Sequence, residues 1–476
     1  MKIKFCGAAR QVTGSCHMIT LKDGYKILLD CGLNQGGKDA WEKNNIWHFE
    51  PSEIDCLVLS HSHIDHCGRI PQLVKDGFKG PIYATHATRS LCAIMLLDSA
   101  KIQERDVQYY NQKLIKKKKK KNKNKKYTLR EPLYTSEVIP EVMSRFIGYS
   151  YKTPFRIHND VEVIFRDAGH ILGSSSVSLT IKEGDKTTRL GFTGDIGRDE
   201  RPILRDPQPM PEADYLICES TYGGKEHELP PAQTDKFLST LHNTCVEKKG
   251  KLIVPAFSVG RTQEIVYMMD QLYTAGKLPK IPVYVDSPLA VNATQVFGSH
   301  PECYDNALNE YLLIDKDPFG FNSLSYIRTV DESKALNAST NPAVIISSSG
   351  MMNAGRIRHH MFNGLENPKN TFLIVGYCAP DTAGGILRAG ATELKLFGEI
   401  KKVNAQIEIM ESFSAHADRK EIVDFISNQK SSLKKMFLVH GEHKTQLKFK
   451  DYLFKNGFED VEVPGPGQEF DLDTMS

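Results

Sequence analysis

The chain has 476 residues, of which 40% are hydrophobic and 25% are charged. This balance excludes an intrinsically disordered chain, and the length predicts two or three domains. Lys and Arg number 61 against 58 Asp and Glu, but eleven basic and no acidic residues fall in the segment 113–130. The remainder, with 50 basic and 58 acidic residues, is therefore acidic, which excludes a uniformly basic nucleic-acid coat but not a local contact with a polyanion.

Neither membrane spans nor disulfide bonds are expected. No run approaches the ~20 consecutive apolar residues that a transmembrane helix requires. The ten cysteines are scattered singly, without a Cys-x-x-Cys pair. In a chain of this length that pattern is typical of reduced thiols, so we expect a cytoplasmic protein that does not bind membranes.

Five short apolar runs each end at an acidic residue or a histidine. Runs of this length that are rich in Val, Ile and Leu predict buried strands. Polar groups repeated at strand ends predict one sheet edge at which loops gather the chemistry. The five runs and the residues that end them are 27–29 with Asp30, 57–60 with His61, 190–194 with Asp195, 215–218 with Glu219, and 437–439 with His440.

The middle of the chain alternates short apolar runs with helical stretches. The runs are 252–256, 283–285, 343–346 and 372–375, and the first helical stretch is 261–273. This alternation is typical of βα units around a parallel sheet. We predict an α/β protein in which a second domain, 206–400, interrupts a first domain made of 1–205 and 401–476. The Lys/Asn run at 116–126 is predicted to be a solvated loop, because its like charges repel.

The strongest local motif is a cluster of four potential metal ligands within six residues: His61, His63, Asp65 and His66. Placed in a loop after a strand, the first two can bind one ion and the last two a neighbouring ion about 3.5 to 4 Å away. Imidazole with carboxylate suits zinc, or manganese or iron with more oxygen ligands. The alternative is a group of surface histidines with a helix cap at Asp65.

Further ligands must come from distant parts of the chain. The candidates are His170, Asp195 and His440, each at the end of a predicted strand or in a turn. Asp195 could bridge two ions. Asp30 could orient a ligand histidine by accepting its second N–H. Each of these residues alone is more often structural, and only their combination with the cluster predicts a dinuclear site.

These residues, in this order, resemble the motifs of the metallo-β-lactamase fold, and three more resemble its nucleic-acid-processing β-CASP branch. Glu219 within 218–223, the segment 412–418 and the segment 439–442 match the additional β-CASP motifs. The sequence is most similar to bacterial ribonucleases that are related to the endonuclease subunit of the mRNA 3′-end cleavage and polyadenylation factor. The resemblance implies an αββα sandwich with an inserted β-CASP domain, whose parallel sheet is flanked by helices.

The resemblance also implies the chemistry. His61, His63, His170 and Asp195 would hold one zinc ion, and Asp65, His66, Asp195 and His440 would hold the other, with manganese as an alternative metal. The site would hydrolyse RNA to 5′-phosphate and 3′-hydroxyl ends, acting as an endonuclease or also as a 5′-exonuclease. Asp65, Glu219 and His416 are the predicted catalytic residues. His416 would protonate the leaving oxygen, and Glu219 would stabilise its cationic form.

Substrate contacts are predicted where small or basic residues follow strands of the inserted domain. Backbone N–H groups at helix N-termini attract anions, although ordinary helix capping explains the same pattern. By the same resemblance, the matching loops face a cleft between the two domains. The pattern gives Ser258, Arg261, Ser349 and Gly350 as candidate contacts, and the resemblance alone adds Arg356, His360 and Ser414.

Three other functions are also compatible with the sequence. A DNA nuclease is opposed only by His440, since DNA-repair relatives carry an apolar residue there. A small-ester or thioester hydrolase is opposed by Glu219 and His416. A catalytically inactive RNA-binding subunit is opposed by the complete set of ligand residues. The resemblance also allows a homodimer, and the Lys116–Lys126 run either holds the RNA backbone or has no measurable role.

Overall fold

The computed structural model describes residues 1–36, 39–121, 129–227, 233–376, 378–410 and 415–474, without the side chains of 117–121 and 233. The chain divides into two compact units. Unit 1 contains Met1–Asp199, Asp206–Glu226 and His416–Ser476, and unit 2 contains Glu200–Arg205 and His227–Ala415. Among the described residues, no helix is both long enough and apolar enough to cross a membrane.

Unit 1 contains two seven-stranded sheets. The strands of the first sheet, in spatial order, are β22 (Glu469–Asp471), β1 (Lys2–Gly7), β2 (Cys16–Thr20), β3 (Lys26–Leu29), β4 (Cys56–Val58), β5 (Ile82–Thr85) and β6 (Phe146–Tyr149). Those of the second sheet are β21 (Val461–Glu462), β20 (Lys435–Val439), β11 (Tyr215–Glu219), β10 (Lys186–Phe192), β9 (Ser175–Glu183), β8 (Val161–Asp167) and β7 (Phe155–His158).

Alternating side chains pack the two sheets against each other. Ile27 and Leu29 of β3, like Phe437 and Val439 of β20, belong to one buried cluster shared by both sheets. Leu28, between the first pair, belongs to a second cluster on the other face of its sheet. Because successive strand residues point to opposite faces, an uninterrupted apolar run is required wherever both faces are covered.

Helices cover the outer face of each sheet. The first sheet is covered by α2 (Ile64–Cys67), α3 (Ile70–Lys75), α4 (His86–Lys121) and α5 (Ile139–Ser144), and the second by α13 (Arg419–Phe425) and α14 (His443–Lys455). A short helix, α1 (Ala40–Asn44), lies in the long connection from β3 to β4. The layers are therefore helix, sheet, sheet and helix, which confirms the predicted αββα sandwich.

Unit 2 is built on a six-stranded sheet in which every recorded pairing is parallel. Its strands, in spatial order, are β14 (Leu324–Tyr326), β13 (Val283–Asp286), β15 (Ala343–Ser347), β12 (Lys251–Pro255), β16 (Thr371–Ile374) and β19 (Gln406–Ile409). A separate hairpin joins β17 (Glu393–Leu396) to β18 (Glu399–Lys402). The helices are α6 (Gln233–Leu241), α7 (Arg261–Thr274), α8 (Pro288–Gly298), α9 (Asn306–Tyr311), α10 (Val330–Ala338), α11 (Ile357–Gly364) and α12 (Ala383–Arg388).

The structure differs from the sequence expectations at two places. The predicted boundary at 205/206 placed β11 in the second domain, but β11 pairs with β10 and β20 and therefore lies in unit 1. The predicted boundary at 400/401 placed β19 in the first domain, but β19 pairs with β16 and therefore lies in unit 2. The domain boundaries follow from which strands pair with each other, and a single sequence does not reveal that pairing. The first part of the Lys/Asn run is not a loop, because α4 continues through Lys121, consistent with the favourable helix propensity of Lys. Residues 122–126 lie outside the described residues.

Candidate metal centre

The predicted ligands of unit 1 gather at one end of its sheets. His61 and His63 follow β4, and His63 is the N-cap residue of α2, which carries Asp65 and His66. His170 lies in the turn after β8, Asp195 follows β10, and His440 follows β20. These side chains form two groups in which the potential ligand atoms lie within 4.8 Å of one another: His61, His63, His170 and Asp195 in the first, and Asp65, His66 and His440 in the second.

The first group converges on one carboxylate oxygen. Asp195 Oδ2 lies 3.4 Å from His61 Nε2 and 3.6 Å from His170 Nε2. His63 Nδ1 lies 3.1 Å from each of the same two ring nitrogens. His61, His170 and Asp195 are at most 2% exposed. Three imidazole nitrogens and one carboxylate oxygen therefore face a common point, which is the ligand set expected for one tetrahedral zinc ion.

The second group faces the other oxygen of the same carboxylate. Asp195 Oδ1 lies 3.3 Å from His66 Nε2. His66 Nε2 is 3.1 Å from His440 Nε2, and the latter is 3.4 Å from Asp65 Oδ2. One oxygen of Asp195 therefore faces each group, as a bridging ligand would require.

The electrostatics of the cluster fit a cation that the ligand atoms would share. Asp195 Oδ1 is buried and accepts no hydrogen bond from any described residue, which is costly unless another partner binds there. Burial lowers the pKa of His63 to about 3 and also lowers that of His61, so both imidazoles are neutral near pH 7, the state that binds metals. Burial opposes ionisation of Asp195, but His440 and His66 hold its pKa well below the usual value.

Asp30 lies behind the ligands and orients one of them. It is fully buried and follows β3 with φ of +59°, a left-handed conformation that is uncommon for a residue other than glycine. Its Oδ2 is 2.6 Å from His66 Nδ1 and accepts hydrogen bonds from the hydroxyl groups of Ser15 and Ser60. The Nδ1–H of His66 is therefore occupied, and its Nε2 is left for a metal.

The Glu219–His416 pair lies beside the first group. His416 Nδ1 is 3.2 and 3.3 Å from the two carboxylate oxygens of Glu219, and it is 3.9 Å from Asp195 Oδ2. Burial would lower the pKa of His416, but Glu219 and Asp195 raise it to about 9. With its side chain 20% exposed, a cationic His416 can donate a proton to a group that enters the site.

Sequence reasoning missed Thr221. Its Oγ1 lies 2.9 Å from His440 Nδ1 and donates to the carbonyl oxygen of His440 at 3.0 Å. Since the hydroxyl proton is used in that bond, Oγ1 accepts from His440 Nδ1–H, and Nε2 stays free to face Asp65. Ser60 has the same relation to His61, because its hydroxyl donates to Asp30 and lies 3.0 Å from His61 Nδ1. The only signal for Thr221 was its position two residues after Glu219.

Of the predicted substrate contacts, Ser258, Ser349 and Gly350 lie in loops after β12 and β15 of unit 2. Ser258 Oγ is 3.2 Å from Ser287 Oγ, which also accepts a hydrogen bond from Ser348. A Cβ at Gly350 would lie 2.9 Å from the Phe257 ring, so the two loops approach closely only because this residue is glycine. The structure thus collects hydroxyl groups at the carboxyl edge of a parallel sheet, where ligands commonly bind.

Three other predicted substrate contacts form ion pairs or hydrogen bonds with carboxylates of unit 2. Arg261, 7% exposed, pairs with Glu264, which also pairs with Arg201. Arg356 and His360 both bind the fully buried Asp286, at 2.6 and 2.7 Å. These three side chains stay predicted substrate contacts, although each already has a carboxylate partner. Ser414 lies outside the described residues.

Comparison with known proteins places the chain in a family. Ribonuclease TTHA0252 of Thermus thermophilus is 33% identical over 448 residues, which cover 94% of both chains. The chain belongs to the β-CASP family of the metallo-β-lactamase superfamily. Matches to the superfamily cover residues 9–241, to the Beta-Casp domain 262–387, and to the Zn-dependent metallo-hydrolase RNA specificity domain 400–464. The resemblance inferred from the motifs is thereby confirmed.

Two further β-CASP relatives are longer than this chain. Transcription termination factor FttA of Methanocaldococcus jannaschii is 30% identical over 95% of this chain and 68% of its own length. Cleavage and polyadenylation specificity factor 73 of Drosophila melanogaster is 31% identical over 94% of this chain and 61% of its own length. The matched domains are those of Zn-dependent metallo-hydrolases, so this chain is a metal-dependent hydrolase.

Proposed function

We propose that this protein is a zinc-dependent ribonuclease that hydrolyses RNA to 5′-phosphate and 3′-hydroxyl ends. The observation that carries the proposal is the convergence of His and Asp ligands on both oxygens of Asp195, next to the Glu219–His416 pair. The match to an RNA specificity domain over 400–464 and the ribonuclease among its relatives favour RNA as the substrate.

We propose two metal positions that share Asp195. The first would be held by His61, His63 and His170, and the second by Asp65, His66 and His440. The donor set suits zinc, with manganese as the alternative. Bound ions would supply the Lewis acidity that polarises the phosphodiester and activates water.

The remaining steps belong to the side chains of the protein. His416 donates a proton to the leaving 3′-oxygen, because it is cationic and partly exposed at the edge of the cluster. Glu219 keeps the imidazole charged and fixes its orientation through Nδ1, so that Nε2–H is available for donation. Asp65 contributes by holding His440 in place as well as by ligation.

RNA phosphates would be bound by the hydroxyl and backbone N–H groups of Ser258, Ser349 and Gly350. Hydroxyls and exposed backbone N–H groups at helix N-termini suit phosphate oxygens. Arg261, Arg356 and His360 would act from positions set by Glu264 and Asp286. A homodimer and a cytoplasmic location stay predictions, which a light-scattering mass and cell fractionation would test.

The proposal is tested with circular and end-labelled RNA, each with and without a chelator. Cleavage of the circle that the chelator abolishes is the expected result, and internal cuts would identify an endonuclease. Progressive shortening of the linear RNA from its 5′ end would add exonuclease activity. The same preparations are assayed with single-stranded DNA and with a thioester. Hydrolysis of either of these without cleavage of RNA would overturn the proposal.

A further inference from the structure

A cavity of about 870 Å³ opens on unit 1, away from the proposed ligands. It is bounded by α1, α3, α4 and the segment 129–133, and none of its lining residues belongs to the metal groups. Trp41 and Tyr110 supply aromatic faces, and Lys75 and Arg130 supply positive charge. Trp47, the second of the two tryptophans in the chain, donates from its ring N–H to Asp76 at the same cavity.

Among the described residues, aromatic rings and no acidic side chain hold the Arg130 guanidinium in this cavity. Its guanidinium carbon lies 4.1 Å from the centre of the Tyr110 ring and 5.2 Å from that of Trp41. Asn111 hydrogen-bonds both the backbone N–H and the carbonyl of Arg130, at 3.0 and 2.9 Å. No described residue accepts a hydrogen bond from the guanidinium, so its five planar donors remain for a ligand. Such an oriented fork suits phosphate.

The surroundings of the cavity favour a polyanion. The segment 113–130 has eleven basic and no acidic residues, in a chain that is otherwise acidic. Lys113 and Lys116 are exposed on α4, which leads to this segment. Lys113 and Lys116, which follow Tyr110 along α4, therefore add positive charge next to an aromatic face, which is the combination used for single-stranded nucleic acids.

Three carboxylates in the same cavity argue against a bare phosphate as its ligand. Glu42, Asp76 and Glu131 also line it. Carboxylates repel a bare phosphate, but they accept hydrogen bonds from the amino groups of bases. A cavity with stacking rings, one guanidinium fork and carboxylates therefore suits an unstacked nucleotide better than an inorganic anion.

We propose that this cavity, the Arg130 pocket, is an accessory docking site for single-stranded RNA, in which a base stacks against Trp41 and Arg130 binds the adjoining phosphate. The inference rests on the proposed function, because it assumes that RNA is the polyanion. The pocket would hold part of the substrate outside the metal centre and thereby increase affinity without taking part in the hydrolysis.

The test uses the full chain and a fluorescein-labelled oligocytidine, with chelator present so that the oligonucleotide is not cleaved. Binding is followed by anisotropy at several salt concentrations. Arg130→Gln is expected to weaken binding about tenfold and to reduce the salt slope by about one. Arg156→Gln, a change of the same charge at an exposed position on β7, is the matched control and should bind as the unsubstituted protein does. Equal binding by both variants would overturn the proposal.

Fluorescence provides a second measurement that does not depend on the Arg130 substitution. The Trp47→Phe variant leaves Trp41 as the sole tryptophan, and bound oligocytidine is expected to quench it with the same midpoint as the anisotropy. Binding without a change in Trp41 fluorescence would exclude the Arg130 pocket. Cleavage of unmodified RNA is measured in parallel. Failure of the unsubstituted protein to cleave RNA would remove the proposed function, whereas retained cleavage with no effect at Arg130 would remove only the docking site.

Discussion

Hydroxyl and carboxyl groups behind the ligands decide which ring nitrogens face the metal centre. His61 donates from Nδ1 to Ser60, His66 to Asp30, and His440 to Thr221. In each case Nε2 lies on the side of Asp195 or Asp65, where a bound metal requires the remaining proton to sit on Nδ1. Burial opposes the charge of His66, but Asp195 and Asp30 raise its pKa well above the usual value, so a metal would displace a proton from its Nε2. Such outer partners fix the tautomer and orientation of ligating histidines and contribute strongly to metal affinity.

Thr221→Val is therefore expected to weaken metal binding at the second group by about 10- to 100-fold. Valine has nearly the same shape as threonine but cannot accept the Nδ1–H of His440. Metal content after dialysis against a competing chelator measures the effect. Thr221→Ser, which keeps the hydroxyl group, is the matched control and should retain the metal. Equal metal content in both variants would contradict this role of Thr221.

His416→Ala should retain the metal yet lower the cleavage rate by about 10²- to 10⁴-fold, the usual contribution of a general acid. The reason is that His416 Nδ1 contacts both carboxylate oxygens of Glu219, at 3.2 and 3.3 Å, and lies farther, at 3.9 Å, from Asp195 Oδ2. Single-turnover cleavage and metal content are measured on the same sample. Loss of a metal ion from the variant would instead identify His416 as a ligand.

Asp270 in α7 is expected to make unit 2 less stable as the pH rises. It is fully buried, and burial raises its pKa to about 6, although Tyr311 donates a hydrogen bond to it. The folded protein therefore holds this proton between about pH 4 and 6, and the stability that depends on it is lost as pH rises through 6.

The free energy of unfolding of Asp270→Asn should match that of the unsubstituted protein at pH 4 and exceed it by about 1 to 3 kcal/mol at pH 7. Denaturation of both proteins at these pH values, with chelator present, measures the difference. A difference that does not change with pH would contradict this assignment.

At the scale of elements, a loop after β3 holds the helix that carries Asp65 and His66. The backbone N–H groups of Cys31 and Leu33 donate to the carbonyl oxygens of His66 and Ile64, and Ser15 N–H donates to that of Asp65. Backbone hydrogen bonds therefore connect the segments next to β2 and β3 directly to α2. The position of the second ligand group is therefore set by backbone contacts, and not only by side chains.

Gly32 allows this close approach. A Cβ at position 32 would lie 1.6 Å from the carbonyl oxygen of Asp65, so Gly32→Ala should displace α2, cost about 2 to 4 kcal/mol of stability and weaken metal binding. Thermal denaturation and metal content measure the two effects. Gly298→Ala, at the exposed end of α8 with no atom within 4 Å of the added Cβ, should change stability by less than about 0.5 kcal/mol. Normal metal affinity in the Gly32 variant would show that α2 can shift without cost.

At the scale of the whole molecule, the proposed metal ligands come from both sheets of unit 1. His61, His63, Asp65 and His66 follow a strand of the first sheet, and the remaining ligands follow strands of the second. Bound ions would hold both sheets together at one end. The folded state would therefore be stabilised by metal in proportion to the logarithm of its concentration.

Removal of the metal should lower the melting temperature by about 5 °C or more, because binding at 100 times the dissociation constant contributes about 2.7 kcal/mol. Melting with chelator, and again after zinc is restored, measures this shift. Asp195→Ala should show a much smaller shift, since it removes the ligand that both groups share, whereas His416→Ala should show the full shift. An equal shift in the Asp195 variant would contradict a shared carboxylate.

The sequence by itself determined the family, the αββα class and the candidate ligand residues, because these depend on local patterns. Apolar runs that end at Asp, Glu or His predict strand ends at a site, and four ligands within six residues are recognisable without a partner. The βα alternation predicted the parallel sheet of unit 2 for the same reason.

Only the tertiary structure decided which distant side chains contact each other. Thr221 meets His440 across 219 positions, and Asp286 meets Arg356 and His360 across 70 and 74. The fold also assigned β11 to unit 1 and β19 to unit 2, and it placed Arg130 between Trp41 and Tyr110. Such pairings depend on which strands and loops become neighbours after folding, and hydrophobic periodicity specifies the faces of an element but not its neighbours.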